Sequence, residues 1–501
     1  TIIQVGLEGY QRHWRHLIAR YGAYPVVWIL GGEASDRNGP WADLAKYVHD
    51  SDPFHRLLAY HAPENPRMAI RKNNELFDFD MVGIGPFITM PIVIKYMNGP
   101  YFLYAWIAGA VLSFIDAMIW SELGAAFPLA GGSYNFLKET YAKTGAGKLM
   151  SFLFVWQTMI QAPLVIASAA IGFAAYFSYL VPLEPWQSKL ISGGVVVLIV
   201  ILLFRKIEAI GKISVVLWVI VIGTIVWIIG GGVAHGNFLQ PLADLNQNLT
   251  VNYAFVAAIG YASVKTVYSY LGYYNVCHLG GEIINPSKNI PRSMFLSIFG
   301  IAALYIFMNV SVVSVIPWNY AKDSEFLVSL FMQELAGPVA ATVATVLILI
   351  VAFASVFSAT LGYSRIPYAA AADGSFFKIF AKLHPTGNFP YVSLLFLGGI
   401  AFVFSMLFRL SDVISAILAV RILIQFIGQA IGLLILRQSK TKEFPFKMPL
   451  YPWPVIIAIA IWGFILFSTG WRMVMGGVFV VMLGIAAYLV KSYLEGKKYK
   501  I

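Results

Sequence analysis

Apolar runs recur along the chain from about residue 80 onward, at 80–97, 101–127, 149–181, 188–204, 210–233, 253–280, 293–317, 336–366, 390–408, 411–436, 453–470 and 474–493. Each approaches the ~20 residues that an α-helix needs to cross a hydrocarbon core. The pattern predicts an all-α polytopic membrane protein with twelve transmembrane helices, so both ends of this part lie on one side of the bilayer. Lysine and arginine set which side. The loops 2–3, 4–5, 6–7, 8–9 and 10–11, with the two tails, carry roughly twenty of them, the opposite loops roughly five. The stretch from His235 to Asn252 carries none. The bias predicts both ends in the cytoplasm, and so a multi-pass protein of the plasma (cell inner) membrane.

Two runs are interrupted. The first contains Val82-Gly83-Ile84-Gly85-Pro86-Phe87 and then Pro91. The sixth contains Ser269-Tyr270-Leu271-Gly272-Tyr273-Tyr274-Asn275 and stops at Pro286 and Pro291. Glycine loosens a helix and proline removes a donor. Irregular backbone at membrane depth is tolerated where protein buries it or where it lines a cavity. Broken helices in matching positions of two halves point to an inverted-repeat transporter with a binding site near the bilayer midplane.

Residues 1–67 have a different texture, charged and without a span of that length. Gly9 to Arg20 reads as an amphipathic helix, Pro25 to Leu30 as a buried strand, Trp41 to His49 as a helix and Leu57 to His61 as a short strand. This predicts a short soluble α/β fragment ahead of the membrane part, which starts near Met68. The runs ARYGAYPVVWILGGE and WADLAKYVHDSDPFHRLLAYH resemble part of a (β/α)8 glycoside hydrolase of the apiosidase-like kind. The resemblance implies a general acid/base role for Glu33. Such hydrolysis needs a second carboxylate and a closed barrel, and about a quarter of a barrel is present. The fragment is therefore expected to be a truncated, inactive fusion.

Composition supports the membrane reading. Hydrophobic residues make up 59% of 501 and charged residues 12%, about half the charge of an ordinary soluble domain; the mean hydropathy is +0.73. The net charge of +11 does not indicate nucleic-acid binding, because the basic residues are spread between apolar spans. Cys277 is the one cysteine, which excludes an intramolecular disulfide and a multi-cysteine metal site. The first residues lack the basic and apolar regions of a cleavable signal peptide.

Several polar residues fall inside apolar runs. Asp116 is an intramembrane carboxylate and a candidate for coupling or gating, or one half of a structural pair. Gln157 and Gln161 share a helix face and either bridge helices or line a site. Lys265 has Tyr261 and Tyr268 at helical spacing and is a candidate for proton coupling, substrate contact or gating, or reaches the interface. Ser355 and Ser358 could join carbonyls of the first span around a sodium ion, or hydrogen-bond their own helix. His278 reads as a packing or interface residue. Arg421 needs a partner that the sequence does not identify.

The pattern Tyr-x-Gly-aromatic followed by Glu282-Ile-Ile-Asn285-Pro286-Ser-Lys-Asn289-Ile290-Pro291-Arg292 resembles the sixth transmembrane helix of the amino acid–polyamine–organocation (APC) transporter superfamily, nearest its L-type amino acid transporter-like branch. Further matches are Glu122-Leu123-Gly124…Phe127-Pro128…Gly131-Gly132-Ser133-Tyr134, Ser364-Arg365…Asp373-Gly374, and Phe444-Pro445-Phe446-Lys447-Met448-Pro449. The likeness covers about Asn74 to Pro454. It implies a LeuT-like 5+5 inverted repeat with broken helices 1 and 6, and amino acid transport by alternating access without an enzymatic step.

In that likeness Gly83-Ile84-Gly85-Pro86-Phe87 stands where the family has Gly-Ser-Gly-Ile-Phe, which holds the substrate carboxylate. Ile84 and Pro86 remove a hydroxyl and an N–H, so this binding is expected to be weaker or shifted. The ammonium would meet carbonyls at Tyr268, Ser269 and Tyr270, and Gly272, Tyr273, Tyr274 and Asn275 would shape the side-chain pocket. The lysine that some proton-coupled members carry in helix 5 is missing from Val215–Ile222. The expected ligand is an amino acid, with sodium or proton coupling and no other cofactor or metal. The sequence leaves the oligomeric state open. Alternatives are a carrier of a polyamine or other organic solute, a fused hydrolase–transporter, or a non-transporting sensor.

Overall fold

The computed structural model describes residues 83–494 apart from 98, 130, 205–209, 239–240, 242–250, 279–282, 284, 386–388 and 440–441, together with residues 28–29 and 58–59. The chain divides into two compact units, Thr1–Glu75 and Leu76–Ile501, a boundary eight residues later than the texture of the sequence suggests. In the first unit Trp28–Ile29 (β1) pairs in parallel with Leu58–Ala59 (β2), Trp28 opposite Leu58 and Ile29 opposite Ala59. Glu33 and the helices expected around these strands lie outside the described residues.

Among its described residues the second unit has helices and connecting turns and no strand. Its apolar helices are α1 (Gly85–Met97), α2 (Phe102–Ala126), α3 (Gly147–Leu180), α4 (Pro185–Leu203), α5 (Ile210–His235) and α6 (Tyr253–Tyr270). After a break follow α7 (Pro286–Val313), α8 (Leu327–Ala372), α9 (Tyr391–Leu407), α10 (Leu410–Gln438), α11 (Trp453–Ser468) and α12 (Trp471–Leu494). Among the described residues seven of them, α2, α3, α4, α7, α8, α10 and α12, are long and apolar enough to cross a membrane. Val219–His235 of α5, α9 and α11 are shorter apolar helices.

Local chemistry explains several boundaries. Pro185 opens α4 behind a reciprocal cap, in which the Glu184 side chain accepts from the first turn and the Glu184 N–H donates to Gln187 Oε1 at 2.8 Å. Asn252 caps α6 by accepting from the Phe255 N–H at 2.9 Å. Pro91 sits inside α1 without ending it. The sequence pattern misses two irregularities. Helix α8 begins before its apolar core and breaks at Ala336 and Gly337, where Gly337 has φ +79°. Helix α10 carries a π-helical turn at Ile422–Gly428.

Helix α3 packs against α8, α9 and α10, while α2 packs against α6 and α7. Close approaches use small residues, as membrane helices require. A side chain at Gly172 of α3 would run into Ile84 and Ile88, and one at Gly109 of α2 into Thr266 and Tyr270. The aromatic centre of this packing is Trp106, Tyr270 and Tyr305, with ring centroids 5.4–6.0 Å apart. This cluster joins α2, the end of α6 and α7.

Candidate functional site

The two interruptions lie side by side. Helix α1 starts at Gly85 after a bend at Gly83 and Ile84, and α6 ends at Tyr270. Leu271 is extended (φ −60°, ψ 143°), Gly272 takes φ +123°, and a 3-10 turn resumes at Asn275–His278. That φ is open to glycine and costly to other residues. The two segments touch where they are smallest: a Cβ at Gly85 would sit 3.3 Å from the Cα of Ser269. One turn on, Thr89 and Ser269 share a hydroxyl–hydroxyl bond of 2.9 Å.

Most backbone groups freed by the breaks have partners. The Ile84 N–H donates to Ser355 Oγ of α8 at 3.0 Å, and Ser355 donates to the Val351 carbonyl at 2.9 Å. The Ile84 carbonyl accepts from Phe87 and Ile88. At the other break the Ser269 carbonyl accepts from the Tyr305 hydroxyl at 3.2 Å, and the Gly272 carbonyl from the Asn275 N–H at 2.8 Å. Among these N–H groups the described residues supply no acceptor to Gly85, and Pro86 has none to offer.

The expected site side chains divide into walls and ties. Ile84 and Phe87 are buried, with the Phe87 carbonyl accepting from Tyr176 at 3.2 Å. Tyr268 is half-buried and bonds Ser168 of α3 at 2.7 Å. Tyr270 donates to the Trp106 carbonyl at 3.3 Å. Tyr273 donates to Asp116 Oδ2 at 2.5 Å, and Trp462 of α11 donates to Oδ1 at 3.0 Å. Asp116 is thus fully buried between two neutral donors that tie α2 to the break and to α11. Asn275 and Ser358 are half-buried.

Lys265 is 1% exposed. Its Nζ donates to the Ser411 carbonyl at 2.8 Å and to Ser415 Oγ at 2.9 Å, at the start of α10. Of its two expected tyrosine neighbours, Tyr261 turns away: it is 46% exposed and stacks on Tyr96 at 5.7 Å. The offset of four places it one turn from Lys265, but its ring lies at the surface beside Tyr96. Gln161 bridges α3 and α8 by donating to the Tyr363 hydroxyl at 3.4 Å. Arg421 is buried against the Tyr274 ring at 5.1 Å and donates from Nε to Gln425 Oε1 at 2.8 Å.

Away from the breaks, two polar clusters fasten helix ends. Glu122, fully buried, accepts from Arg437 at 2.5 Å and from the Met448 N–H at 2.9 Å. It joins α2, α10 and the segment before α11. Asp373, just past α8, accepts from Tyr134 at 2.5 Å and pairs with Lys138 at 3.3 Å, both in the short helix Ser133–Thr140. Against the desolvation of partial burial, the Tyr134 hydrogen bond and the Lys138 charge hold the Asp373 carboxyl below the usual carboxylate range. Among the described residues no group of three or more His, Cys, Asp and Glu side chains is placed to hold a metal ion.

Paired helix interruptions place backbone N–H and C=O groups of two helices side by side, where they can meet a small polar ligand. The family described as amino acid permease matches residues 80–488. The chain is 26% identical over 444 residues to the serine/threonine exchanger SteT of Bacillus subtilis (strain 168), covering 83% of this chain and 94% of that protein. It is 22% identical over 457 residues to the branched-chain amino acid permease BcaP of the same organism, covering 86% and 95%. A third relative there is the glutamate/serine transporter AimA, 26% identical over 452 residues and covering 82% and 80%.

Proposed function

The chain belongs to the amino acid permease family, and from that premise we propose a secondary active transporter that works by alternating access around α1 and α6. It is a membrane transporter of amino acids rather than an enzyme. The observation that carries the mechanism is the contact between the two interruptions at Gly85 and Ser269. A ligand held there touches both halves of an inverted repeat, so its affinity can differ between outward and inward arrangements.

In this reading the substrate carboxylate meets the start of α1. Ser355 occupies the Ile84 N–H, which leaves the Gly85 N–H and the positive end of α1 for the anion. The ammonium meets the carbonyl side of the α6 break at Tyr268 to Tyr270, and Gly272, Tyr273 and Asn275 bound the side-chain space. Relatives that carry serine, threonine, glutamate and branched-chain residues support a small or medium amino acid. Lys265 ties α6 to α10 and is the candidate gate, with Asp116 fixing the far side of the break. Sodium or proton coupling is part of the proposal, with Ser355 and Ser358 on the helix that faces α1.

Twelve membrane crossings in a LeuT-like 5+5 repeat, with both ends of the membrane part in the cytoplasm and the protein in the plasma membrane, complete the reading. The loop charge bias supports it. Residues 1–67 are read as an inactive glycoside-hydrolase-like fragment, supported by the parallel pairing of β1 and β2 that a βα unit produces.

The test is uptake of radiolabelled amino acids by the full chain in proteoliposomes, with and without sodium and proton gradients. Saturable uptake that Gly85→Leu abolishes is the expected result. A folded protein that accumulates none of the twenty amino acids under any gradient refutes the reading.

A further inference from the structure

Arg421 is 3% exposed inside the helical bundle, yet no carboxylate among the described residues pairs with it. The ion pairs there join Lys95 to Asp323, Lys138 to Asp373 and Arg437 to Glu122. Asp116 has its oxygens engaged by Tyr273 and Trp462. A guanidinium taken out of water without a counter-ion is costly, and removing one partner of a buried pair leaves a similar penalty. Its oxygen partners are neutral, the Tyr274 hydroxyl and the Gln425 amide, so the positive charge itself is unmatched. Gln425 spends its Oε1 on Arg421 and keeps a buried Nε2 with no partner.

A second buried amide lies on α3, the helix packed against α10. Gln157 of α3 is 1% exposed, and neither its oxygen nor its nitrogen has a partner. Helices α3 and α10 pack antiparallel: Met150 lies against Gly428, Leu153 clusters with Ile424, and Leu164 packs on Val413 and Ile417. Gln157 shares this face at helical spacing and falls midway, at the level of Arg421. The local backbone is unusual as well, since the π turn Ile422–Gly428 starts at the next residue. Such turns are rare and recur at functional sites.

We propose that Arg421, with the amides of Gln425 and Gln157, is a binding site for a compact monovalent anion. The chemistry fits a carboxylate or a halide equally: a planar guanidinium with two primary amides supplies several N–H donors and one buried positive charge. The anion is either chloride or the side-chain carboxylate of an acidic amino acid. This site is separate from the helix-start position given to the substrate's α-carboxylate, and it does not rest on transport.

The experiment is thermal unfolding of the purified full chain in detergent at constant ionic strength. Sodium isethionate, whose anion is bulky, is replaced stepwise by sodium chloride, or L-glutamate is added with L-glutamine as the uncharged control. A saturable rise in Tm with chloride assigns a halide site. A rise with glutamate that glutamine does not reproduce assigns the side-chain carboxylate. In either case Arg421→Leu raises the half-saturating concentration about tenfold or more, and Gln157→Leu raises it several-fold. Gln157→Leu decides the question if Arg421→Leu does not fold. No saturable shift with either anion, or the same shift in wild type and variants, overturns the proposal. Because binding is read directly, this result stands whether or not amino acid uptake is detected.

Discussion

The backbone N–H of Ile84 ends on the hydroxyl of Ser355, 3.0 Å away on α8. A residue 271 positions later in the chain therefore holds the bend that precedes α1. Replacing Ser355 by alanine leaves that N–H without its acceptor, a loss of about 1–3 kcal/mol of local order. Ser355→Ala is expected to raise KM for uptake several-fold while the protein remains folded, and Ser355→Thr to restore it. An unchanged KM in the alanine variant would remove Ser355 from the site.

Gly272 carries the other bend. Its φ of +123° lies where an L side chain is strained, by about 1–3 kcal/mol. Gly272→Ala should lower Tm and reduce uptake together, because the strain falls on the turn that ends α6. A variant with wild-type Tm and uptake would show that the turn has other conformations open to it.

Glu122 and Arg437 form a pair with one side fully enclosed, the carboxylate being 0% and the guanidinium 19% exposed. Removing one partner of such a pair costs about 3–5 kcal/mol, whereas replacing both by apolar groups is close to neutral. Arg437→Met is expected to destabilise strongly, and Glu122→Leu/Arg437→Met to recover most of the loss. Thermal unfolding in detergent measures both, and additive losses in the double variant would refute the coupling.

Acid should loosen the join between the short helix Ser133–Thr140 and the end of α8. The Asp373 carboxyl lies below its unfolded value when folded, so its contribution is present above the ordinary carboxylate range and is lost as pH falls through the folded value. Asp373→Asn should remove that part of the acid dependence. The side chain is about half exposed, so the effect is small and screened by salt. It is visible as a pH-independent difference in Tm replacing a pH-dependent one.

Hydropathy located the helices that carry long apolar runs, and glycine spacing located both bends, because each signal reflects a local cost along the chain. The partners were not legible. Nothing near Asp116 in the sequence points to Trp462, which lies 346 residues away, and nothing near Tyr261 points to the Tyr96 ring on which it stacks. The break at Ala336 and Gly337 and the π turn after Arg421 leave composition unchanged, so an apolar count passes over them. For Arg421 and Gln157 the sequence showed polar groups at membrane depth; their common level on facing helices became visible with the packing of α3 on α10.

The clasp at Glu122 also bears on how the chain is made. Its carboxylate leaves the ribosome 315 residues before Arg437 and 326 before the Met448 N–H that completes its coordination. Neither partner exists during that interval, so α2 takes up its final polar contacts only after α10 and the segment before α11 have been made.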